Sequence, residues 1–142
     1  ALKDSADNMV WLAGKVEDPL HGIILLRYAT NAAPTNGDAW NNLALYYRDT
    51  NQAERSRAAY HKALELSPND PQLMNDYAVI YHYYLQSDDD KARDLYTRAI
   101  ARAQEMLKSG SVPKSDVERI KTALRDAQNN LKKLDAGSRK NG

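Results

Sequence analysis

The sequence predicts an all-α chain built as a short stack of helical hairpins. Three observations carry that expectation. Large and small residues recur with a fixed spacing: Trp40, Leu43, Ala44 and Tyr47 are followed by Ser56, Tyr60, Ala63 and Leu64, and Pro68 closes a stretch of 34 residues that opens at Gly37. A period of that length marks a unit that buries its apolar face only against neighbouring units. The same offsets reappear downstream, where Met74, Tyr77, Ala78 and Tyr81 stand as Trp40, Leu43, Ala44 and Tyr47 do. Finally, Val117, Ile120, Leu124, Ala127, Leu131 and Leu134 alternate in steps of three and four, which draws one apolar stripe along a single amphipathic helix.

The unit over 37–70 resembles the tetratricopeptide repeat in both spacing and residue type. That resemblance implies two antiparallel helices per repeat and a TPR-type α-solenoid. Three repeats are expected, at about 3–36, 37–70 and 71–108, with a C-terminal capping helix at about 115–135. Together they form a single domain over 3–136, followed by a disordered tail at 137–142. The first repeat is found by stepping back 34 residues, which carries Pro68 to Pro34, Ala63 to Ala29 and Tyr60 to Leu26. In the third repeat, Ala92, Tyr96 and Ala99 follow Ser56, Tyr60 and Ala63 by 36 residues. Two extra residues are therefore expected in the turn near Gln86 to Asp89. Helices are expected at about 3–16, 20–32, 37–50, 53–66, 71–85, 89–108 and 115–135. Asn51 suits a left-handed helix end, and Ser115 with Glu118 suits a capping box.

Composition narrows the function. Lys and Arg number 20 against 19 Asp and Glu, a net charge of +1. Such a balance offers no electrostatic case for nucleic acid or an anionic membrane. The longest apolar run, Ile23 to Leu26, falls far short of a membrane span of roughly 20 residues. With no cysteine there is no disulfide, thiolate metal site or thiol nucleophile. His21, His61 and His82 fall in three different repeats, so no metal is expected. No nucleophile elbow, phosphate loop or dinucleotide fingerprint occurs, and neither an enzyme nor a cofactor is expected. A cytoplasmic location is expected, with export after signal cleavage as the alternative, since Ala1 is not an initiator methionine.

In the family that the repeat resembles, the first helix of each hairpin lines a concave surface that holds peptides. Here the corresponding positions include Asp7, Asn8 and Trp11 in the first repeat. The second contributes Asp38, Asn41, Asn42, Leu45 and Arg48, and the third Gln72, Asn75, Asp76, Val79 and Tyr83. Asp4, Asp49, Lys15 and His82 lie on the same stripe, whose five Asp outnumber one Lys and one Arg. A neutral or basic extended segment is the expected partner. Two parallel rows run through the repeats, Asn8–Asn42–Asp76 and Asp7–Asn41–Asn75, and side-chain amides can pair with both halves of a peptide bond. Receptors of this family that grip a C-terminal carboxylate do so with Lys, Asn and Arg. Asn42 matches one of these positions, but Asp7, Trp11, Gln72 and Asp76 occupy the others, which argues against an acidic tail. The expected function is a protein–protein interaction module binding an extended segment in its groove. The alternative is a structural fragment of a longer array, or a self-associating scaffold with an idle groove.

Overall fold

A computed structural model describes the backbone of residues 2–140 and the side chains of 4–137. Every regular element in it is helical. The helices are α1 (Leu2–Ala13), α2 (Pro19–Ala32), α3 (Gly37–Asp49), α4 (Ala53–Leu66), α5 (Pro71–Val79), α6 (Asp89–Ser109) and α7 (Lys114–Lys140), with α5 continuing as a π-helical segment, Ile80–Leu85. They form two compact units, Ala1–Pro68 and Asn69–Gly142, where the sequence implied one domain over 3–136.

In the first unit α1 pairs with α2 and α3 with α4, and α3 also lies against α2. Helix starts follow local chemistry. Asp18 accepts the Leu20 amide at 2.9 Å ahead of Pro19, and Asn36 accepts the Ala39 amide at 3.1 Å, each satisfying an amide that the helix leaves unpaired. Leu26, Ala29, Ala39, Leu43, Ala44, Tyr60 and Ala63 make the buried layer, so large residues of one helix fill the space that small ones leave on the next. Ser56 is fully buried and donates to the Ala44 carbonyl at 2.7 Å, joining the two helices of the second hairpin. Gly22 is needed for closeness, since a Cβ there would stand 3.2 Å from the Tyr46 ring. The Tyr46 hydroxyl in turn donates to Ala13 at 2.8 Å. Asn51, with φ of 61°, adopts the left-handed conformation expected of it.

The second unit repeats the hairpin and adds α7. Asp70 caps α5 through the Gln72 amide at 2.9 Å, with Pro71 behind it. The two extra residues of this repeat do not lie in the turn. The connection at 86–88 is as long as that at 50–52, whereas the first helix has grown: α5 and its π-helical continuation contribute 9 and 6 residues where α3 has 13. A π turn takes in an additional residue without breaking the helix, which lets Tyr81 stay buried and the hairpin close. Gln86 and Asp88, both at positive φ, then reverse the chain, and Asp88 accepts the Lys91 amide at 3.2 Å.

Helix α7 buries Ile120, Ala123, Ala127 and Leu134 against α6 and α5. It starts at Lys114, which places Ser115 inside the first turn and not at the cap. It also continues through residues 137–140, where a disordered tail was expected, and Asp135 is held by Arg93 at 3.1 Å before this end. Residues 141 and 142 lie outside the described part of the chain.

Candidate functional site

The candidate stripe is carried by α1 and α3 in the first unit and by α5 with its π-helical continuation in the second. On α1, Asp7, Asn8 and Trp11 are exposed, Trp11 by 63%. The Lys15 ammonium sits 5.5 Å from the Trp11 ring centre. On α3, Asp38 is exposed, while Asn41, Asn42, Leu45 and Arg48 are half-buried. Arg48 donates to Asp49 at 2.9 Å.

The two polar rows separate in the structure. Asp7 accepts from Asn36 Nδ2 at 3.0 Å, a bond between α1 and the cap of α3. Asn75 is only 6% exposed, and its Oδ1 accepts from Asn130 Nδ2 of α7 at 3.2 Å. Asp7 and Asn75 thus face the helix that follows within their own units, which corrects the expectation of an exposed Asn75. By contrast, Asn8 and Asn42 make no side-chain hydrogen bond among the described residues, and their donors and acceptors remain unused.

In the second unit, α7 lies along the stripe. Just as α3 packs on α2 and touches α1, α7 packs on α6 and touches α5, so it takes the place of a next repeat's first helix. Arg119 reaches Asp70 at 3.3 Å and Gln72 at 3.1 Å, and Tyr83 donates to Asn130 Oδ1 at 3.2 Å. A cleft of about 260 Å³ stays open between α5 and α7, with Gln72, Asp76, Arg119 and Asp126 at its walls. Val79 and Asp76 are half-buried. Sequence reasoning missed Arg119 and Asn130 as neighbours of the stripe. The only signal for Asn130 was an amide beside Leu131 of the apolar stripe.

His82 joins this cluster from the π-helical segment. Its ring stacks on Tyr83 at 4.0 Å and its Nδ1 lies 3.0 Å from the Tyr96 hydroxyl. Burial lowers the His82 pKa below its ordinary 6.5, with Asp89 pulling it up and Lys133 pushing it down. Burial likewise raises the Tyr96 phenol far above its usual range, aided by Tyr83 and Asp76. Because the folded imidazole is the weaker base, the unfolded chain binds its proton first, and the stability this site contributes is complete above about pH 6.5 and lost as pH falls below it. The thermal midpoint should therefore drop on acidification from pH 7 to 5, and H82Q should lessen the drop. An equal drop in H82Q would assign it to other groups.

A family model for the tetratricopeptide repeat matches residues 37–70, the hairpin α3–α4. Residues 37–70 thus carry a tetratricopeptide repeat. A relative among curated proteins is an N-terminal acetyltransferase A complex subunit-like protein of Schizosaccharomyces pombe, 32% identical over 66 residues. That match covers 46% of this chain and 10% of the relative. Tetratricopeptide repeats are in general protein–protein interaction modules. Among the described residues, no group of three His, Cys, Asp or Glu is placed to hold a metal ion. Among the described residues, no helix is long and apolar enough to cross a membrane.

Proposed function

We propose that this chain holds an extended, neutral or basic segment of a protein partner along the exposed face of α1 and α3. The observation that supports it is the pair Asn8 and Asn42, equivalent residues one repeat apart whose amides are unused. An extended backbone presents unpaired N–H and C=O groups, and each can be met by such an amide. Trp11 and Leu45 offer apolar contact beside them, and Asp7 and Asp38 set the sign of the local charge. On α5 the corresponding residues serve α7 instead, so Gln72, Asn75 and Tyr83 are read as its anchors. The relative's name, a complex subunit-like protein, is consistent with a role in assembly.

The test is a peptide panel against the wild type and two variants. Replacing Asn8 and Asn42 with Ala should weaken a basic or neutral partner by about 0.5–1.5 kcal/mol per residue, and the loss should persist at high salt. D38N should weaken basic peptides only at low salt, because exposed charges are screened over roughly 10 Å at 0.1 M. Preference for acidic peptides, or indifference to both variants, would overturn the reading.

A second reading, a self-associating scaffold, draws on Leu20, Ile24 and Tyr28, which are 55%, 64% and 52% exposed along one face of α2. In α4 the equivalent positions carry Glu54, Ala58 and Lys62. Sedimentation showing dimers that I24K dissolves would favour it.

A further inference from the structure

A different surface of the first unit carries a second feature. Between α2 and α4, with α3 as its floor, runs a groove of about 580 Å³. The floor is apolar and rigid: Leu43 and Tyr47 are buried, and the Trp40 indole is pinned by its N–H to the Pro34 carbonyl at 2.8 Å. Ala58 keeps the mouth open. Its counterpart one repeat earlier is the larger Ile24. Around the mouth stand Arg27, Arg55 and Lys62, and no carboxylate lines the groove. Neither Arg27 nor Arg55 makes an ion pair among the described residues, and Arg55 is held only by Gln52, at 3.0 Å. Lys62 pairs with Glu65 at 3.6 Å on the solvent side, a contact that water competes with readily.

An aromatic floor under a cationic rim fits a ligand with the opposite arrangement, negative at its edges and apolar at its centre. We infer that the groove between α2 and α4 binds an acidic peptide segment that inserts one large aliphatic or aromatic side chain over Trp40 and sets its flanking carboxylates on Arg27, Arg55 and Lys62. Arg offers a planar fork to each carboxylate, which orients the segment as well as attracting it. This site is independent of the α1–α3 face, whose charge is opposite.

The experiment uses the full chain and a fluorescein-labelled peptide of alternating Asp and Glu around a central Leu, followed by anisotropy. The expected result is saturable binding that weakens as salt rises. It should fall at least about tenfold when the Leu is replaced by Ala, and at least about tenfold in R27E/R55E. A58W, which fills the mouth, should abolish binding while the circular dichroism and melting midpoint hold, and D38N should leave affinity unchanged. The inference is overturned if the peptide does not bind, if a Lys and Arg peptide around the same Leu binds as well, or if A58W and R27E/R55E retain wild-type affinity.

Discussion

A chain ending at Pro113 is expected to aggregate or to lose the cooperative unfolding of its C-terminal unit. Removing α7 withdraws Ile120 and Leu134, both at most 3% exposed, along with Ala123 and Ala127, and uncovers the faces of α6 and α5 beneath them. Burying an Ile or Leu contributes roughly 1.5–3 kcal/mol, so the two large residues alone represent about 3–6 kcal/mol. Domain stabilities are only about 5–15 kcal/mol in total. The deletion also removes the Asn75 partner on α7, but water then reaches that amide, so the loss rests on the apolar faces. Light scattering together with urea denaturation would check this. A truncated protein that stays monomeric with an unchanged midpoint would show α7 to be dispensable.

Tyr96→Ala should be nearly as damaging, for a different reason. The Tyr96 side chain is fully buried at the centre of the second unit, flanked in sequence by the buried Leu95 and, three residues on, Ala99. Truncating a buried aromatic to Ala typically costs about 3–5 kcal/mol, through lost transfer energy and the cavity left behind. Tyr96→Phe separates the ring from the hydroxyl. It keeps the volume and the edge contact with His82 at 5.8 Å, and deletes only the 3.0 Å bond to Nδ1. A neutral hydrogen bond contributes about 0.5–1.5 kcal/mol, so the Phe variant should lie within that range of wild type. Calorimetry showing equal losses for Ala and Phe would mean that the hydroxyl and not the packing dominates.

The hairpins were legible because their determinants are local and periodic. Trp40, Tyr47, Tyr60 and Pro68 mark one period by themselves, and the helix 53–66 was placed to the residue. Where the outcome depended on how the backbone winds, the reading failed. Ile80 to Leu85 carry no Gly or Pro to announce a π turn, and the extra residues were assigned to the connection that follows. The candidate site was legible in register but not in exposure. Asp7 and Asn8 are adjacent and equally polar, and only the position of the following helix decides which of the two rows is engaged. At Asn75 that helix is α7, whose amphipathic stripe was visible although its polar contacts were not.

Asn130 gives α7 an index mark. The apolar stripe of α7 repeats every three to four residues, so sliding the helix by one turn would set Ala, Leu and Ile side chains into nearly equivalent holes. An apolar seam alone discriminates poorly among such positions. The Asn130 amide does not, because its Nδ2 must meet Asn75 while its Oδ1 meets the Tyr83 hydroxyl, and both ends of the group are used at one setting only. A slipped α7 would leave the buried Asn75 Oδ1 without the donor that Asn130 supplies, a cost greater than any small gain in packing. One polar side chain in the seam thus specifies a single alignment, as a lone buried Asn does between coiled helices.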